Sequence, residues 1–173
     1  GSKYTDAGKG GRPLQIEELI ERYGNDVLRL CILYLGDDHL AQDAFQETFV
    51  KAWKGLGAFR GDSSIKTWLS RIAVNTCRDQ LRSGWLRMLR RSKPLEEAAE
   101  LAAPRPDPEA AAVREATLSL SGKYREVIVL YYYEGMQIQE IANVLSLPEN
   151  TVSTRLRRAR AQLARMLREE VEP

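Results

Sequence analysis

Apolar residues recur at three- and four-residue steps along most of this chain, and that period predicts helices. Ile16, Leu19, Ile20, Tyr23, Val27, Leu30, Cys31 and Tyr34 mark a first helix. Gly36-Asp37-Asp38 ends it and caps the next. The second helix runs from about His39 to Lys54, with Ala41, Ala44, Phe45, Thr48, Phe49, Ala52 and Trp53 on its apolar side. Its other side carries Gln42, Asp43, Gln46, Glu47, Lys51 and Lys54. Such a mixed face is either solvated or a docking surface, and the pattern does not choose. Gly55 to Ser64 reads as a loop punctuated by glycine. A third helix follows from about Ile65 to Ser83, with Ile65, Trp68, Leu69, Ile72, Ala73 and Cys77 facing the core. Its far end shows Asn75, Thr76, Arg78, Asp79, Gln80 and Arg82, which suit phosphates and base edges or simply a solvated helix end.

Between Ser83 and about Pro108 the character changes. Trp85 to Arg91 is basic and amphipathic, Leu95 to Ala103 is rich in Ala and Glu, and Pro104-Arg105-Pro106-Asp107-Pro108 is a stiff spacer. This stretch is an expected interdomain linker, and the residues before Pro13 are expected to be disordered. Helical patterning then returns with Ala112, Val113, Ala116 and Leu120. It breaks at Ser121-Gly122 and resumes with Val127, Ile128, Leu130 and Tyr131 as far as Glu134-Gly135. Among Tyr131, Tyr132 and Tyr133, at least one is expected in the core. The acidic tail from Glu169 to Pro173 is expected to fray.

The most informative stretch is Gln137 to Arg160. Ile138, Ile141, Ala142 and Leu145 form one apolar face, Ser146-Leu147-Pro148 interrupts it, and Pro148 opens a second helix. Val152, Leu156, Ala159 and Leu163 are the buried stripe of that helix. Its other faces carry Asn150, Thr151, Ser153, Thr154, Arg155, Arg157, Arg158, Arg160, Arg165 and Arg168, with no acid between Asn150 and Arg168. Hydroxyls and amides come first and guanidiniums follow, the layout of a recognition helix in a DNA major groove. The fold class is therefore all-α. Two small helical domains are joined by a flexible linker, and the C-terminal one is a helix-turn-helix. The expected boundaries are 14–84, 85–110 and 111–170.

Composition narrows the function classes. The chain has 173 residues, is 43% hydrophobic and carries a net charge of +2, so it can hold real cores. Basic residues gather at Arg71–Lys93 and Arg155–Arg168, which suggests two contacts with a polyanion. No basic-then-apolar leader argues for secretion. Cys31 and Cys77 sit at apolar helical positions and read as reduced core thiols. There is one histidine, no Cys/His spacing for a metal and no phosphate-cradling Gly loop or Ser/His/Asp set. No catalytic residue, cofactor or metal is assigned.

These pieces in this order resemble the extracytoplasmic-function (ECF) group of bacterial sigma factors. The resemblance rests on Ala41-Gln42-Asp43-Ala44-Phe45-Gln46-Glu47-Thr48-Phe49 through Trp53, Phe59-Arg60-Gly61-Asp62-Ser63, and Lys66-Thr67-Trp68-Leu69-Ser70-Arg71-Ile72-Ala73-Val74-Asn75. In the second half it rests on Lys123-Tyr124-Arg125-Glu126-Val127-Ile128, Glu140-Ile141-Ala142, Asn150-Thr151-Val152-Ser153-Thr154-Arg155-Leu156 and Arg158-Ala159-Arg160. The chain departs from the family pattern at Ser121-Gly122, where Leu-Pro is usual, and at Ser146, where the turn usually has Gly.

The resemblance implies a sigma factor that binds core RNA polymerase, through the β′ clamp helices and β, and directs initiation at promoter DNA. Asp43, Gln46, Glu47 and Lys51 would contact the polymerase. Phe59, Arg60, Gly61, Asp62, Ser63, Asn75, Arg78, Asp79 and Arg82 would read the melted −10 element, where a flipped base is captured in the loop. Asn150, Thr151, Ser153, Thr154, Arg155, Arg157, Arg158 and Arg160 would read the −35 duplex. The linker would thread through the polymerase. It further implies an anti-sigma factor as partner and a cytoplasmic location, with that partner able to hold the protein at the membrane. The alternative is a stand-alone helix-turn-helix regulator with an N-terminal sensing or dimerisation domain. That domain, however, carries the clamp-type polar face and the base-capture loop.

Overall fold

The computed structural model describes residues 14–90 and 107–171. The expectations of disorder before Pro13 and of a linker over 91–106, with residues 104–106 of the stiff spacer, lie outside the described residues, whereas Asp107 and Pro108 of that spacer begin a helix. Among the described residues the chain is helical, without strands. The N-terminal domain consists of α1 (Ile16–Leu35), α2 (Asp38–Gly55), a short 3₁₀ turn (Leu56–Ala58) and α3 (Ile65–Arg90). The C-terminal domain consists of α4 (Pro108–Ser119), α5 (Gly122–Ile128), a π turn (Val129–Tyr133), α6 (Ile138–Leu145) and α7 (Glu149–Val171).

The predicted punctuation is where the helices change. Gly36 sits in the left-handed region (φ +66°), its N–H donates to Ile32 O, and Asp37 accepts from Leu40 N–H at the start of α2. Ser64 Oγ accepts from Thr67 N–H and caps α3. Asp107 caps α4, with Pro108 in its first turn. Two boundaries differ from expectation. Helix α3 runs on to Arg90, so residues 85–90 of the expected linker continue it. Helix α7 continues through Glu169 to Val171, and residues 172–173 of the acidic tail lie outside the described residues.

Each domain buries one apolar face per helix. Leu19, Val27, Leu30 and Cys31 of α1 meet Ala41, Ala44, Phe49 and Ala52 of α2 and Leu69, Ala73, Val74 and Cys77 of α3. Both cysteines are fully buried and free. The Cys31 thiol, and then burial, push the Cys77 pKa up, which keeps that thiol protonated. In the second domain Val127, Ile128, Leu130, Ile141, Leu145, Val152 and Leu156 form the centre. The two cores are continuous, because α1 packs on α4, α5 and the π turn while α3 packs on α6. Trp53 corrects the sequence reading. The helical period puts it on the apolar side of α2, but it is 64% exposed. None of the three consecutive tyrosines is fully buried: Tyr132 is exposed, and Tyr131 and Tyr133 are half-buried. No helix among the described residues is long and apolar enough to cross a membrane.

Candidate nucleic-acid interface

The helix-turn-helix is built as its pattern predicts. Glu140 turns back to accept the Gln137 N–H at 2.8 Å and fixes the start of α6. Ser146 then adopts a left-handed conformation (φ +54°), and Leu147 N–H reaches Ala142 O at 2.9 Å, closing a Schellman turn. Pro148 O accepts from Thr151 and Val152 N–H, so the chain enters α7 directly after Pro148. With Val152, Leu156 and Ala159 buried, the polar residues of α7 must face out. Asn150, Ser153, Arg157, Arg158 and Arg160 are exposed, and Thr151, Thr154 and Arg155 are half-buried.

These residues do not form one face. Asn150, Thr151, Thr154, Arg155 and Arg158 line a shallow groove of about 300 Å³ whose far wall is Lys123 and Tyr124 of α5. Lys123 Nζ stands 5.0 Å from the centre of the Tyr124 ring. These two are candidate contact residues that sequence reasoning missed. They lie far from α7 in the chain, and only the packing of α5 on α7 brings them there. Arg160 points elsewhere. Its Nε donates to the Tyr132 hydroxyl at 2.5 Å, and its guanidinium lies over the Tyr131 and Tyr132 rings.

In the N-terminal domain, Asp43, Gln46, Glu47, Val50, Trp53 and Lys54 lie at positions i, i+3, i+4, i+7, i+10 and i+11, on one outer side of α2. Val50 and Trp53 add exposed apolar area to that polar stripe. Lys51 leans over to α3, with its ammonium 3.2 Å from Thr76 Oγ1, 3.2 Å from Glu47 and 3.8 Å from Asp79. Gln80 Nε2 also donates to Glu47. The α2 stripe is therefore continuous with the outer face of α3, where Asn75, Asp79 and Arg82 are exposed at steps of four and three.

The loop before α3 has a floor and a rim. Phe59 is buried and stacks on Trp68, ring centres 5.1 Å apart. It supports the loop from beneath instead of offering its ring to a base. Arg60 and Asp62 are exposed, Gly61 and Ser63 half-buried. Gly61 has φ +75°, a conformation that a side chain would strain.

Arg78 and Arg155 differ from the other proposed DNA-reading residues. Both end on one buried carboxylate, Glu126 of α5, with Arg78 Nη2 at 3.3 Å and Arg155 Nη1 at 3.2 Å. The Tyr34 hydroxyl also donates to Glu126. Burial, and then the nearby carboxylate, push the Tyr34 phenol well above its usual range, so it stays a donor. Burial works to lower the Arg78 pKa, but Tyr34 and Glu126 outweigh it and the net shift is upward. Around this junction Arg125 Nη1 donates to Tyr34 O at 3.2 Å, Arg71 donates to the Asn143 side chain, and Lys66 Nζ donates to Glu134 O at 3.2 Å. Burial lowers the Arg125 pKa. The seam also holds orphaned atoms. Arg71 Nε, Arg125 Nε and Glu134 Oε1 are buried without a hydrogen-bond partner. Each such atom costs about 1–3 kcal/mol.

The fold and these surfaces define a two-domain helical protein with a helix-turn-helix built to read duplex DNA. Residues 19–94 match the family model described as Sigma-70 region 2, and residues 110–163 match that described as Sigma-70, region 4. The chain is 35% identical over 152 residues to the ECF RNA polymerase sigma factor SigM of Mycobacterium tuberculosis, covering 87% of this chain and 76% of that one. It is 34% identical over 162 residues to the RNA polymerase sigma-H factor of Pseudomonas aeruginosa, covering 86% and 84%. Among solved structures it is similar to CnrH in complex with the cytosolic domain of CnrY, with a TM-score of 0.65, 29% identity and coverage of 89% and 88%. The fold also matches RpoE of Bartonella quintana, solved with the anti-sigma factor NepR, with a TM-score of 0.78, 23% identity and coverage of 91% and 98%. The chain belongs to the ECF group of RNA polymerase sigma factors.

Proposed function

We propose that this sigma factor divides promoter recognition between its two domains, over residues 14–84 and 111–170. The α2 stripe of Asp43, Gln46 and Glu47, with Lys51 at its edge, docks on core RNA polymerase. The loop of Arg60, Gly61, Asp62 and Ser63, held up by Phe59, captures an extruded −10 base, and Asn75, Asp79 and Arg82 follow the opened strand. Helix α7 reads the −35 duplex. The observation that carries this reading is the outer surface of α7 from Asn150 to Arg168, without an acid above its buried stripe, with Lys123 facing it across the groove.

The work is done by binding rather than by chemistry of the protein's own. Flipping a base costs a few kcal/mol, and one stacked or well-bonded base returns about 1–3 kcal/mol. Arg78 reaches Glu126 from across the seam, so the packed arrangement keeps this DNA-reading residue from the nucleic acid, whereas Arg155 meets Glu126 within its own domain. DNA reading therefore requires the domains to part. An anti-sigma factor is the expected regulatory partner. This is supported by the likeness of fold to the sigma factor RpoE of Bartonella quintana, solved with the anti-sigma factor NepR, and by an apolar groove of about 850 Å³ between α1 and α4, lined by Leu28, Ile32, Val113 and Tyr132. The protein acts where the polymerase is, in the cytoplasm.

The test is binding to bacterial core RNA polymerase, followed by transcription from a promoter library. The expected result is tight binding and start sites that share one −35/−10 pair. Duplex binding without polymerase binding would move the assignment to a stand-alone regulator.

A further inference from the structure

The seam between the domains carries a feature that promoter recognition does not use. Glu134 closes the π turn, and its side chain is 1% exposed. Everything charged that faces it comes from the other domain: Arg29 and Asp26 on α1, and Lys66 on α3. On its own side, the nearby α6 carboxylate of Glu140 is turned to the Gln137 N–H. Arg29 Nη2 lies 3.8 Å from Glu134 Oε1, within ion-pair range but not hydrogen-bonded to it. That same Nη2 donates to Tyr133 O and pairs with Asp26 at 2.8 Å. Lys66 spends its ammonium on Glu134 O and on Asp26. The Oε1 of this carboxylate is thus buried under α1 and α3 but left without a donor.

Of the orphaned side-chain atoms in the seam, two belong to guanidiniums, which stay charged at any physiological pH. Only Glu134 can relieve its burial by taking a proton. We propose that the seam is a proton-linked latch: protonation of Glu134 closes the two domains over Arg78, and its ionisation loosens them. The consequence for DNA rests on the functional reading above, whereas the latch itself does not.

The direction follows from linkage. In the closed form burial raises the Glu134 pKa to about 7, partly offset by Lys66 and Arg29 and reinforced by Asp26. When α1 and α3 withdraw, the group returns toward an ordinary carboxylate near 4.3. The closed form therefore binds the extra proton. Closing strengthens as pH falls through 7, by about tenfold between pH 8 and pH 6, and levels off above 8.

The experiment is interdomain energy transfer on the full chain, free in solution, with dyes at Gln42→Cys and Ala161→Cys, both exposed sites. A His39→Gln background removes the one imidazole. The closing constant is expected to rise about tenfold from pH 8 to pH 6. Glu134→Gln, neutral at every pH, should remain closed with a flat profile, its fold checked by circular dichroism. Lys66→Met removes a cation that favours the carboxylate and should move the midpoint to higher pH, which decides the matter if Glu134→Gln does not fold. A flat wild-type profile, an unchanged slope in Glu134→Gln, or a midpoint that does not rise in Lys66→Met overturns the latch. Transcription with core polymerase is measured separately. Its failure beside an intact pH profile would count against the sigma reading alone.

Discussion

The Tyr34 hydroxyl donates to the Glu126 carboxylate from α1 of one domain to α5 of the other. The same carboxylate takes Arg78 from α3 and Arg155 from α7. One buried acid thus holds a residue from each DNA-reading surface. Arg155 reaches it within its own domain, whereas Tyr34 and Arg78 reach it from across the seam. The parts that join the domains are therefore separable from the part that braces the helix-turn-helix.

Tyr34→Phe removes one donor to a charged acceptor and leaves both guanidiniums on Glu126. Such a bond contributes about 1.5–3 kcal/mol, so the closing constant should fall by about tenfold or more. The readout is the interdomain energy-transfer measurement at fixed pH. The phenol does not titrate in the physiological range, so the pH slope set by Glu134 should survive. An unchanged closing constant would show that the seam does not depend on this bond.

Trp53→Ala should weaken binding to core polymerase by about tenfold or more while leaving the melting temperature within a degree or two. The ring is 64% exposed beside Gln46, Glu47 and Val50, so the free protein loses little packing. An exposed aromatic in a polar stripe is the kind of anchor that a partner covers. Normal affinity in this variant would place the docking surface elsewhere.

Arg158→Ala and Arg160→Ala are both expected to weaken −35 binding, but not equally. Arg158 is exposed along the groove facing Lys123, whereas Arg160 is engaged with Tyr131 and Tyr132. The log-log salt slope should fall by about 0.9 in Arg158→Ala, one phosphate's worth, and by less in Arg160→Ala. Lys123→Ala should behave like Arg158→Ala. Equal slopes in wild type and both Arg158→Ala and Lys123→Ala would remove the groove from the DNA contact.

Much of this was legible because apolar spacing and capping chemistry act locally. The Asp37 cap, the Gly36 stop and the buried stripe of α7 follow from neighbours three or four residues away. The seam was not legible. Tyr34 fits the apolar stripe of α1, Arg71, Arg78 and Glu126 occupy positions consistent with a helix surface, and their partners lie in distant elements. Trp53 was misplaced because an aromatic at the margin of an apolar stripe satisfies the helical period whether it is covered or not. The split of the α7 residues between a groove and a tyrosine pair likewise depends on α5 and the π turn packing against it.

Ser146 gives a test that separates stability from recognition. It is the one described non-glycine residue with positive φ, at the turn between α6 and α7. A left-handed conformation costs a side-chain-bearing residue about 1–2 kcal/mol, while glycine loses about 0.5–1 kcal/mol more entropy on folding. The net for Ser146→Gly is a gain of about 0.5–1 kcal/mol, a rise of a few degrees in melting temperature. No hydrogen bond of the serine hydroxyl opposes it, and Leu147 N–H still reaches Ala142 O through the backbone. Affinity for the −35 duplex should not change, because Ser146 lies outside the α7 groove. A lower melting temperature in Ser146→Gly would mean that the serine side chain contributes to the turn in a way its backbone geometry does not reveal.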